Sequence, residues 1–176
     1  MGALKRFTPE QLTKAVNRVS PSYIRVEADE VTYDLHIILR YELEKALIAG
    51  DLHVKDIPGV WNEEFKGMFG IEVPDDTQGC LQDIHWSMGG FGYFPTYSLG
   101  NLNSAQLYAS AQKALGPRLG DLQNGSYHGL LEWLRVNIHQ FGKQYSPAQL
   151  MQNATGKPTQ PDYHWSYLKD RFSSMG

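Results

Sequence analysis

Between Ile24 and Ala49 a set of apolar residues stands at 24, 28, 31, 35, 38, 39, 43, 46 and 47. That is the three-and-four spacing of one helix face. Gly50 follows where a left-handed helix stop is expected. The spacing predicts one long helix over 24–49, with Glu42, Glu44 and Lys45 on its water side. The same punctuation recurs along the chain. Thr8-Pro9-Glu10-Gln11 and Ser146-Pro147-Ala148-Gln149 each carry a cap, a first-turn proline and a glutamine that reaches back. They predict helices from Thr8 to about Val19 and from Ser146 onward. Asp56 or Pro58 opens another, through Trp61, Phe65 and Phe69 to Gly70. Pro74-Asp75-Asp76-Thr77 is expected to cap a short helix carrying Leu81, Ile84 and His85. Helical pattern returns over Tyr97–Leu115, over Gly129–Phe141 and after Pro161. No two segments alternate as paired strands do. The expectation is an all-α fold of roughly seven helices, with residues 1–176 forming a single unit without an internal boundary.

The charge balance narrows the partners. Sixteen basic residues against nineteen acidic ones give a formal charge of −3, with no basic stripe. Nucleic acid is therefore not an expected partner. The longest apolar run, Leu35–Leu39, is interrupted by His36 and falls far short of the ~18 residues of a membrane span. The opening Met1–Thr8 lacks the apolar run of a signal peptide. Cys80 is the one cysteine, so no disulfide framework forms within the chain, and a reducing, cytoplasmic setting is expected.

Common catalytic signatures are missing. The six histidines, at 36, 53, 85, 128, 139 and 164, include no pair at the four-residue spacing of a helical zinc site, and His-Glu does not occur. His36 and His139 read as ordinary helical histidines. Cys80 lies five residues before His85, a poor helical spacing for a thiol–imidazole pair, and reads as inert and buried. There is no Gly-x-Ser-x-Gly elbow and no phosphate loop. Two stretches stand apart. In Ile24–Asp29, Arg25 sits where the helix dipole disfavours a cation. Spacing alone favours a surface Arg25 paired with Asp29; a buried Arg25 would instead be a fork for a carboxylate. In Gly79–Asn101, Asp83, His85 and Trp86 precede Tyr93 and Tyr97 among five glycines. An imidazole and a phenol are apt donors toward an oxyanion. Composition leaves a core crossing and a site lining level there.

At these two stretches the chain resembles the carboxypeptidase Taq family of zinc carboxypeptidases. Ile24, Arg25, Ala28 and Asp29 match its Ile-Arg-x-x-Ala-Asp motif. Gly79, Gln82, Asp83, His85 and Trp86 match its Gly-x-x-Gln-Asp-x-His-Trp motif. The resemblance runs from about Asn17 to Phe172. It implies a largely helical body with a substrate groove, often homodimeric, that removes C-terminal residues from peptides. It also implies zinc, or another divalent metal, in the complete enzyme. The family's HExxH, His-Glu-Ser-Gln and Asp-x-Arg-x-Thr motifs do not occur here, and in the family they precede Ile-Arg-x-x-Ala-Asp. The chain thus resembles a C-terminal third, binding no metal itself and inactive alone. Carried over by resemblance, His85 hydrogen-bonds substrate near the scissile bond and Tyr97 stabilises the oxyanion, with Tyr93 competing for that role. Asp83 orients His85, and Arg25 helps hold substrate. The alternatives are a non-catalytic peptide-binding or self-associating module, and a subunit completed by a separately encoded zinc-bearing part.

Overall fold

The computed structural model of the protein describes residues 6–117, 119 and 124–173, so Met1–Lys5 of the opening stretch lies outside it. Among the described residues seven α-helices follow one another: α1 Pro9–Val16, α2 Tyr33–Ala49, α3 Ile57–Phe69, α4 Pro95–Leu115, α5 His128–Asn137, α6 Pro147–Thr155 and α7 Asp162–Ser173. No strand occurs among the described residues. The chain is all-α, as its spacing predicts. Both capping boxes form: the Thr8 and Ser146 hydroxyls accept the amides of Gln11 and Gln149, whose side chains reach back. Gly50 ends α2 and Gly70 ends α3 at φ +82° and +72°, a conformation that costs other residues a Cβ clash.

Proximity groups the residues into two compact units, Met1–Ser98 and Leu99–Ser174. The division runs through α4, where no linker or change of composition marks it. In the first unit, α2 and α3 pack around Leu39, Leu43, Ile57, Trp61, Phe65 and Phe69, with Cys80 buried among them. In the second, Gln106 is fully buried and ties α4 to the end of α6. Its amide donates to Thr155 Oγ1 at 2.7 Å and to the carbonyls of Lys157 and Pro158, and its oxygen accepts the Gln160 amide.

Three expectations need correction. The helix predicted from Ile24 begins at Tyr33. Ahead of it, Arg25–Glu27 is a single 3-10 turn. The Asp29 carboxylate then accepts the amides of Ser20, Val31 and Thr32 and the Thr32 hydroxyl, which gives the backbone an alternative to helix. The short helix expected after Pro74 is a series of turns. Finally, Glu44 does not face water but is buried. On α2, His36, Arg40 and Glu44 stand four residues apart on one inward stripe, while Ile38 and Tyr41 are exposed. These three point in, whereas Glu42 and Lys45 on the same helix stay in water.

Candidate functional site

The site assembles in the first unit, from the 3-10 turn at Arg25, the inner face of α2, the turns of 79–94 and the start of α4. Gln82 joins the two motif stretches. Its Oε1 accepts the Arg25 amide at 2.9 Å, and its Nε2 donates to the carbonyls of Tyr23, Gln78 and Gly79. Close backbone approach shapes the turns. A Cβ on Gly90 would crowd the His85 carbonyl oxygen at 3.0 Å, so glycine lets the amide-to-carbonyl bond between them close to 2.7 Å without that crowding.

Arg25 is not a surface partner of Asp29. It is buried, and its Nη2 meets Asp83 Oδ1 at 2.7 Å while Nη1 donates to the Tyr33 hydroxyl at 3.1 Å. Arg40 approaches the other oxygen, with Nε and Nη2 each 2.7 Å from Asp83 Oδ2. One carboxylate therefore sits between two guanidiniums. Burial pushes the Asp83 carboxyl up, but the Arg25 hydrogen bond and the Arg40 charge outweigh it and hold it below the usual range. Burial pulls Arg40 down to about 10 against the attraction of Asp83. Two cations on one anion leave one positive charge over, which aromatic faces take up. Arg25 lies 4.9 Å from the Tyr97 ring and 5.7 Å from that of Phe94; Arg40 lies 4.7 Å from Trp61 and 5.2 Å from Phe94.

His85 rests on this base. Its ring packs against Phe94 with centroids 4.3 Å apart, and Nε2 lies 3.1 Å from the Tyr97 hydroxyl. Tyr93 flanks both rings, 5.7 Å from His85 and 5.5 Å from Tyr97, and is half exposed. The Asp83 oxygens are engaged by arginine, and His85 Nδ1 stays 3.8 Å from Oδ1, beyond hydrogen-bond range. That Nδ1 is buried with no hydrogen-bond partner. All five residues singled out by sequence thus converge, while the direct Asp83–imidazole hydrogen bond does not form.

Sequence reasoning missed Arg40 and Glu44. Glu44 accepts the Trp86 indole N–H at 2.9 Å and the Gly92 amide at 3.1 Å, and so pins the loop on both sides of Gly90. At the far end, the Ser98 hydroxyl donates to Asp34 at 2.5 Å, fixing the first turns of α4 against α2. The signal for Arg40 and Glu44 was their four-residue register with His36. In the second unit a groove of about 580 Å³ runs between α4 and α7, walled by Tyr108, Tyr163 and Tyr167. No motif residue lines it. Among the described residues no three of His, Cys, Asp or Glu gather as metal ligands would.

A family model described as Carboxypeptidase Taq (M32) metallopeptidase matches residues 2–172. Thermostable carboxypeptidase 1 of Thermus thermophilus is 43% identical over 161 residues, covering 92% of this chain and 32% of that one. Carboxypeptidase 1 of Bacillus subtilis is 39% identical over 171 residues, covering 97% of this chain and 34% of that one. The crystal structure of an M32 carboxypeptidase from Deinococcus radiodurans superposes with a TM-score of 0.94 at 38% identity, covering 98% of this chain and 35% of that one. The chain spans about a third of the length of these relatives.

Proposed function

The chain belongs to the carboxypeptidase Taq (M32) metallopeptidase family, and from that premise we propose that it is the C-terminal portion of a metallocarboxypeptidase acting on peptides. It supplies groove wall and hydrogen-bond donors, and the metal, zinc in this reading, is held by residues outside these 176. The observation that carries this is the His85–Tyr97 pair, 3.1 Å apart and seated on a buried Arg–Asp–Arg base. Such a base fixes donor positions before substrate arrives, which is what electrostatic stabilisation requires. His85 holds the substrate near the scissile bond. The Tyr97 hydroxyl is aimed at the peptide oxygen as negative charge builds on it, a contribution of roughly 3 kcal/mol per donor. Tyr93, the more exposed ring, walls the groove and is the competing donor. Arg25 contributes mainly by holding Asp83, since both are largely buried. The single cysteine supports a cytoplasmic setting, and pairing of two complete copies belongs to the same reading.

The metal-ligand geometry is lacking among the described residues, so no catalytic step is assigned to a metal on this chain. The test is direct. The 176-residue chain, purified from zinc-supplemented medium, is expected to hold well under one equivalent of zinc and to release no C-terminal amino acid from a peptide. Stoichiometric zinc with turnover would overturn the proposal.

A further inference from the structure

The stretch that carries the site has two faces of opposite character. Inward go Gln82, Asp83, Trp86 and Phe94, all bonded to or packed against the first unit. Outward go Leu81, Ile84 and Met88, with 71%, 65% and 68% of their surface exposed, joined by Phe91 and Tyr93 at 43% and 53%. Ile84 and Met88 share one turn, closed by the Met88 amide on the Ile84 carbonyl at 3.1 Å, and both side chains are open to solvent. Asp83 is the only formal charge between residues 81 and 93, and it points inward. A run of large apolar side chains without an outward charge is not an ordinary solvent face.

We propose that the face formed by Leu81, Ile84 and Met88 is the docking surface for the metal-bearing two thirds of a carboxypeptidase of this family. The inference rests on the functional reading above and names the partner of that same site. Two observations choose this occupant. The chain matches the Bacillus subtilis relative over 97% of itself but only 34% of that protein, which leaves two thirds of a homologous chain to be accommodated. The apolar face also borders the site, since His85 lies between Ile84 and Met88 in the chain and Tyr93 belongs to both. A body covering this face therefore arrives beside the His85–Tyr97 donors, where a metal has to be.

The experiment compares two proteins: this 176-residue chain, and a chimera in which these residues replace the matching third of the Bacillus subtilis carboxypeptidase. Ile84→Asp and Met88→Asp are placed in each. In the chain alone they are expected to leave the unfolding midpoint unchanged, because both side chains face water. In the chimera they lower it by about 5 °C or more, because the new carboxylate is buried. Equal effects in the two proteins would overturn the proposal, as would a chimera that does not fold. So would a 176-residue chain that sediments as a dimer split by Ile84→Asp, which would make a second copy the occupant. A chimera that buries the face yet releases no C-terminal residue would remove the functional reading and leave the docking surface standing.

Discussion

At the scale of residues, Asp83 decides more than any other side chain. It compensates two buried guanidiniums and so holds the floor on which His85 rests. Asp83→Asn leaves both cations without an anion. We expect it to cost about 3–5 kcal/mol of unfolding free energy, read from urea melts. Tyr97 is a different case, because its hydroxyl meets the His85 imidazole and its side chain is only partly buried. In a chain completed by a metal-bearing portion, Tyr97→Phe is expected to lower kcat by roughly 10²-fold with little change in KM. A proportional rise in KM instead would assign the hydroxyl to ground-state binding.

At the scale of elements, α2 is the informative one, because its apolar spacing predicts the helix and yet misplaces its inner face. Hydrophobic periodicity treats charged positions as solvent positions. His36, Arg40 and Glu44 break that assumption, since each is buried against the loop or core it holds. The early start predicted at Ile24 failed for a related reason: the Asp29 carboxylate binds neighbouring amides that a helix would have used. The caps and glycine stops were legible because their chemistry is local. The Arg25–Asp83 pairing was not, because it joins residues 58 apart and spacing rules speak only of neighbours. The Gly-x-x-Gln-Asp-x-His-Trp match marks the loop that carries Asp83 and His85 without saying what holds it. Glu44→Ala tests that hold. Losing the acceptor for the Trp86 indole and the Gly92 amide is expected to cost about 2–3 kcal/mol, and Trp86 fluorescence should shift as its environment loosens.

At the scale of the whole molecule, two buried groups make stability depend on pH in the same direction. Burial, with the nearby charges of Arg40 and Arg25, lowers the His36 imidazole to about 4. Its folded value lies below its unfolded value of roughly 6.5, so the unfolded chain takes the proton first. The stabilising effect is full above about pH 6.5 and is lost as pH falls toward 4. Asp83 adds a second loss lower down, since its contribution is present above the ordinary carboxyl range and disappears as it protonates. Urea midpoints should therefore fall between pH 7 and pH 5, and His36→Leu should flatten that slope. An unchanged slope in the variant would acquit His36.

The Gln82 side chain has a consequence of another kind. It fastens the backbone amide of Arg25, 57 positions earlier in the chain. Closing a loop of that length costs on the order of 4 kcal/mol in chain entropy before any contact rewards it. Four hydrogen bonds through one amide, together with the Asp83 fork, are the clasp that offsets it. The side chains that order the donors are thus among those that close long connections in the first unit's site. A change that tunes the donors through this clasp also loosens the chain, so chemistry and foldedness at this place vary together.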